Sequence, residues 1–266
     1  MKRIFLSVLT TILIVAMTLA AMFTLVRTTI YVTKVGTLFP DQMYIVSAHL
    51  DGRGGGGAAN DDASGCALVL EAARALAGLQ TAVSIRFIFW NNEETGLNGS
   101  TAYVNERKSQ QGVESPLGSG VYPEPKWLGV IQHDQILWDH GLPSQPEQIP
   151  GADLDVEYQA SSTYATASLQ LATALRTGNQ TYSTTYPAQI GSNMNYTDSV
   201  PFQNYTASVS LRDNQRVAEI GNGSNPTWHQ PTDVYATYSE ADFRLGFNAV
   251  QMTLGTVAEL VGASQP

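Results

Sequence analysis

The stretch from Ser47 to Ser64, Ser-Ala-His-Leu-Asp-Gly-Arg-Gly-Gly-Gly-Gly-Ala-Ala-Asn-Asp-Asp-Ala-Ser, constrains the fold more than any other part of the chain. A strand-like run, Tyr44-Ile45-Val46-Ser47-Ala48, leads into His49 and Asp51. Four consecutive glycines follow, and Asp61 and Asp62 then open an apolar helix. Histidine and carboxylates placed where a strand stops and a helix starts suit a metal site at the carboxyl edge of an open α/β sheet. The glycines admit a second reading, as the turn of a dinucleotide-binding unit. Two acids at the helix start would repel the pyrophosphate, and no Gly-Lys-Ser/Thr is present. The glycines are therefore expected to let the loop pass close to a metal site.

Further strands and helices alternate along the chain. Thr28 to Thr33 is β-rich, and Ala63 to Ala77 reads as a helix stopped at Gly78. Val83 to Trp90 and Trp127 to Gln132 are apolar strands with acids at their C-terminal ends: Asn91-Asn92-Glu93-Glu94 after the first and His133-Asp134 after the second. Ser100 to Lys108 is expected as a short helix, and Ser109 to Lys126 as a surface excursion rich in Gly, Pro, Ser and Gln. Strands are expected at Leu154 to Tyr158 and Thr206 to Leu211, and helices at Thr163 to Arg176 and Ala241 to Val261. Thr177 to Thr197 reads as irregular. This alternation predicts an α/β protein, a three-layer α/β/α sandwich around a mixed, largely parallel sheet.

With 266 residues and 43% hydrophobic content, the chain has material for one substantial core. A formal charge of -9 makes a nucleic-acid backbone a poor partner. The single cysteine, Cys66, excludes an intrachain disulfide and a cysteine-ligated zinc site, and its apolar helix suggests a small buried thiol. Met1-Lys2-Arg3 precedes an uncharged stretch from Ile4 to Val26, long enough to span a bilayer, with the positive charge on its N-terminal side. The expected organisation is a signal peptide or membrane anchor over residues 1–26 and a catalytic domain over 27–266. The domain would be exported, with membrane association through residues 4–26 if the segment is retained.

Three strands thus end in candidate ligands, His49, Glu93-Glu94 and Asp134. Asp61 enters from a helix start, and His229 from the loop Asn225-Pro-Thr-Trp-His-Gln-Pro-Thr-Asp233. A His/Asp/Glu set without sulfur suits zinc, and also manganese or cobalt. His133 should face away from Asp134 if both lie in the strand, as a packed imidazole, while Asp62 should support the helix start.

His-Leu-Asp, Asn-Asp-Asp-Ala-Ser-Gly, Asn-Glu-Glu-Thr-Gly-Leu-Asn-Gly-Ser, a strand-end Asp and Trp-His-Gln-Pro-Thr-Asp stand here in one order. In that order they resemble the di-zinc aminopeptidases of metallopeptidase family twenty-eight, which also holds glutamate carboxypeptidase-like enzymes. The similarity runs from about Thr28 to Gly262. It implies a zinc-exopeptidase fold and two zinc ions per chain. Asp61 would bridge the metals, with His49 and Asp134 completing one site and Glu94 and His229 the other. Glu93 would be the general base, and Asp51 would hydrogen-bond the second nitrogen of His49. Asp198, in Tyr-Thr-Asp-Ser, matches a family segment and would support the site from behind.

The function so implied is an exported exopeptidase that cleaves the first peptide bond of a substrate with a free N-terminus. The rivals are a carboxypeptidase or dipeptidase using Arg53, Arg212 or Arg216 to hold a carboxylate, and a non-catalytic binding domain of the same fold. A single-zinc glutaminyl cyclase is disfavoured by His49, which such cyclases lack.

Overall fold

The computed structural model describes residues 29–139, 154–183, 185–213 and 225–266. The apolar segment Ile4 to Val26, with Arg216, lies outside them. Among the described residues, no helix is long and apolar enough to cross a membrane.

Seven strands form one mixed sheet: β1 (Ile30–Lys34), β2 (Phe39–His49), β3 (Val83–Trp90), β4 (Lys126–His133), β5 (Leu154–Glu157), β6 (Ala188–Gly191) and β7 (Ala207–Arg212), in the order β1-β3-β2-β4-β7-β5-β6. The central run β3, β2, β4 and β7 is parallel. β1 pairs antiparallel with β3, and β5 antiparallel with β7. The register places His49 beside Trp90, Ser47 beside Gln132 and His133 beside Leu211, so four parallel strands finish at one edge. That edge receives the chemistry.

The period-two alternation of β2 sorts its side chains into two cores. Val46 and Ala48 face a layer of α1 (Ala63–Leu76), α3 (Ala165–Tyr182) and α4 (Glu240–Leu260). Met43 and Ile45 face a thinner layer built from α2 (Asn98–Arg107) and a 3-10 turn, with Trp90, Tyr103, Trp127 and Phe202 in mutual ring contact. Burying each large apolar side chain contributes roughly 1.5–3 kcal/mol, so these two faces carry the fold. The expected three layers are present, with unequal thickness.

Two sequence expectations are corrected. Thr177 to Thr197 is not irregular: α3 continues to Tyr182, and Ala188–Gly191 adds a strand. Thr, Gly and Asn are poor helix formers, but contact overrides propensity here. A Cβ on Gly178 would lie 1.9 Å from Thr256 Oγ1, so only glycine lets α3 approach α4 this closely. Asn179 is buried, donates to Tyr186 O and accepts from Ala188 N, tying the helix end to the new strand. The second correction concerns the excursion before Lys126. It reaches inward at Glu124, which is fully buried and bound by Arg86, Arg107, Tyr103 and Trp127. Two guanidiniums lie against its one negative charge.

Candidate active site

The carboxyl edge of the sheet brings the candidate ligands together. His49 ends β2, Glu93 and Glu94 follow β3, Asp134 follows β4, and Asp61 stands just before α1. His229 enters from its loop, where a left-handed backbone (φ 55°) turns the chain. The glycine loop does pass close: Gly54 has φ 81°, and a Cβ there would lie 2.4 Å from the carbonyl carbon of His229. No other residue type allows that approach.

The two oxygens of Asp61 serve different partners. Oδ1 lies 3.1 Å from His49 Nε2, and Oδ2 lies 3.3 Å from His229 Nε2. His229 Nε2 is also 2.9 Å from Glu94 Oε2, while Asp134 Oδ1 lies 4.0 Å from His49 Nε2. Two candidate metal sets result, His49/Asp61/Asp134 and Asp61/Glu94/His229, and they share one carboxylate.

His49 Nδ1 donates to the backbone carbonyl of Asp51 at 2.9 Å. A carbonyl only accepts, so Nδ1 carries the proton and Nε2 is the nitrogen left for a cation. The Asp51 carboxylate stands beside the same nitrogen, with Oδ1 3.7 Å from Nδ1. It also accepts from Glu93 N at 3.0 Å and Glu94 N at 3.1 Å. The same device recurs twice. Asp62 accepts from His49 N, Gly65 N and Gln135 N, capping α1 while it pins the end of β2. Asp233 accepts from Asn60 N and Asp61 N. Three carboxylates thus hold the backbone of the residues that present the ligands. In the sequence Asp233 is legible only as the last residue of the Trp-His-Gln-Pro-Thr-Asp motif.

The residues present fit a pair of cations. Glu94 Oε1 is buried without a hydrogen-bond partner. Nε2 of a neutral His49 would face Asp61 Oδ1 lone pair to lone pair, a contact that needs a cation or a second proton between them. Without a metal the proton is favoured: burial opposes it, but the charge of Asp62, the carboxylates of Asp51 and Asp61 and the charge of Asp134 together outweigh burial and raise the His49 pKa well above its ordinary value. Burial likewise opposes ionisation of Asp61, yet the two imidazoles hold its carboxyl below the usual range. Burial first, then the charge of Asp134, pushes Glu93 up to about 9; burial and Asp61 push Glu94 up to about 7. These shifts describe excess negative charge, which a bound cation would relieve. The donors are nitrogen and oxygen only, as zinc accepts.

His133 and Asp198 stand behind this set. His133 is fully buried, with Nδ1 against Ser47 O and Nε2 against Thr253 Oγ1, and is no ligand. Burial lowers its pKa to about 4. Asp198 is buried and accepts from Ser100 Oγ. Arg212 is buried at the cavity wall. It donates to Asp134 Oδ2 at 2.7 Å and lies 3.5 Å from Glu157, so it orients a ligand. In front of the set lies a cavity of about 480 Å³, walled by the acids and by Arg53, Leu97, Tyr196 and Trp228. The Trp228 ring stacks on His229 at 4.2 Å between centroids.

A largely parallel sheet with this strand-edge set has the fold of the zinc aminopeptidases. Against the structure of a zinc aminopeptidase from Bacillus subtilis the TM-score is 0.64, with 23% identity over 88% of this chain and 50% of that one. The model of peptidase family M28 matches residues 30–252, and the chain belongs to that family. An aminopeptidase of Pseudomonas aeruginosa is 45% identical over 109 residues, 40% of this chain and 20% of that protein. The leupeptin-inactivating enzyme 1 of Streptomyces exfoliatus is 46% identical over 68 residues, 25% of this chain and 16% of that protein. The matched stretches thus span a fifth or less of these two relatives.

Proposed function

We propose that the chain is a zinc-dependent exopeptidase of aminopeptidase type, hydrolysing the first peptide bond of substrates with a free N-terminus. The observation that carries this reading is the division of Asp61, one oxygen toward each of two His-and-acid sets, with Glu93 beside them in neither set. His49, Asp61 and Asp134 would hold one zinc, and Asp61, Glu94 and His229 the other. Bound there, zinc supplies Lewis acidity, polarising a carbonyl and lowering the pKa of water.

The chain's own groups do the rest. Glu93 takes a proton from the attacking water as the oxygen–carbon bond forms. It returns the proton to the leaving nitrogen as the carbon–nitrogen bond breaks. Asp51 fixes the backbone of Glu93, which keeps the base at one position. The acids around the cavity favour a substrate's ammonium group. Export is part of the proposal, and its support is the apolar run Ile4 to Val26 after Lys2 and Arg3.

The test is hydrolysis of aminoacyl anilides with and without chelator, on protein of known zinc content. Glu93→Gln should keep its zinc and lose roughly 10²–10⁴-fold in turnover, the usual worth of a positioned base. Zinc-loaded wild-type protein that leaves every free-amine substrate intact would remove the proposal.

A further inference from the structure

The cavity in front of the metal-ligand candidates is lined by four acids and two arginines. Zinc held by Asp61, Glu94 and Asp134 would offset the charge of the acids, which leaves the two arginines as the groups that decide how a substrate carboxylate is held. The two arginines are not equivalent. Arg212 is buried and already bound by Asp134 and Glu157. Arg53 is exposed on the cavity rim, and among the described residues no carboxylate lies within ion-pair reach of it.

The position of Arg53 is set by the chain around it. It comes two residues after Asp51 and one before Gly54. The Gly54 backbone lies against that of His229, and a Cβ on Gly56 would meet Asp233 O and Gln230 O, both at 2.9 Å. Gly57 N donates to Asp233 O. The loop is thus fastened on the His229 side, and the charge of Arg53 is felt at the His229 imidazole. A guanidinium on a fastened loop, with its hydrogen-bond donors unspent, is a carboxylate receptor.

We propose that Arg53 binds a carboxylate on the leaving part of the substrate, either the C-terminal carboxylate of a di- or tripeptide or an acidic side chain after the scissile bond. The inference rests on the aminopeptidase reading and narrows it to short or acidic peptides. Leu-Gly is then cleaved more efficiently than Leu-Gly-amide, by about fivefold in kcat/KM and mainly through KM, because an exposed pair is worth about 1 kcal/mol at most. The preference shrinks as salt is raised.

The experiment compares Leu-Gly with Leu-Gly-amide, and Leu-Glu-amide with Leu-Gln-amide, on zinc-loaded wild type, Arg53→Gln, Arg53→Lys and Arg53→Glu. The first pair reports a C-terminal carboxylate and the second an acidic side chain. In whichever pair shows the preference, Arg53→Gln brings the ratio to one, Arg53→Lys keeps part of it and Arg53→Glu inverts it. Unchanged zinc content and melting temperature show that the variants are folded. Ratios of one in both pairs for wild type, or a ratio that survives Arg53→Gln, overturns the inference and leaves the aminopeptidase reading standing. Failure to cleave any of the four peptides while other aminoacyl anilides are hydrolysed overturns the inference alone, and failure on the whole panel of free-amine substrates overturns both.

Discussion

Replacing Asp51 by Ala separates two accounts of that residue. If its carboxylate served His49, the loss would appear as weaker zinc binding at the His49 set. Its shorter contacts are with the turn after β3, where its two oxygens accept from Glu93 N and Glu94 N at 3.0 and 3.1 Å, against 3.7 Å to His49 Nδ1. A hydrogen bond to a charged group is worth about 1.5–3 kcal/mol; here, with the side chain 19% exposed, the lower figure applies and water recovers part of the loss. Two such bonds give a total of about 3 kcal/mol, and if all of it goes into placing Glu93 the rate falls on the order of hundredfold. The assay pairs steady-state kinetics on a leucyl anilide with zinc titration by a competing chelator. The expected result is a large fall in kcat, with zinc weakened at the Glu94 set and the His49 set spared. Unchanged kcat with selective loss of zinc from the His49 set would refute the assignment.

Other consequences follow from the same packing. His133 has a pKa near 4 in the folded chain against an ordinary 6.5, so between those values it gains its proton only on unfolding. Its contribution to stability is complete above pH 6.5 and is lost as pH falls toward 4, by about 2 kcal/mol at pH 5. Urea unfolding at pH 7 and pH 5 should show a smaller loss in His133→Gln than in wild type; identical losses would contradict the burial argument. Gly178→Ala gains about 1 kcal/mol in helix propensity but places a Cβ against Thr256 Oγ1 on the neighbouring helix. Overpacking of this kind costs about 1–3 kcal/mol, so the variant should melt lower, with Thr256→Ala in the same chain restoring part of the loss.

The site was more legible in the sequence than the frame that holds it. His49, Asp61, Glu93, Glu94, Asp134 and His229 announce themselves because each sits at a strand end, a helix start or a loop, where polar residues follow an apolar run. The carboxylates that pin them were read less well. Sequence spacing shows that Asp51 is near His49, but not that the turn of Glu93 and Glu94 folds over it and donates to the same carboxylate. Arg212 carried no local signal of its ion pair, since Asp134 and Glu157 are distant in sequence and adjacent only through the β4-β7-β5 order. The α3 extension failed for a similar reason: Gly178 and Asn179 look like a helix end until α4 lies against them. Propensity reads the segment, and packing decides it.

The central claim is that Asp61 belongs to both metal sets. It is tested most directly by counting zinc in Asp61→Ala beside wild type, at one free-zinc concentration and with circular dichroism confirming the fold. Wild type should hold two zinc ions per chain, and the variant should lose both together, because each set is left with a histidine and one acid. A variant that keeps one zinc at wild-type affinity would show that Asp61 serves a single metal and would contradict the account.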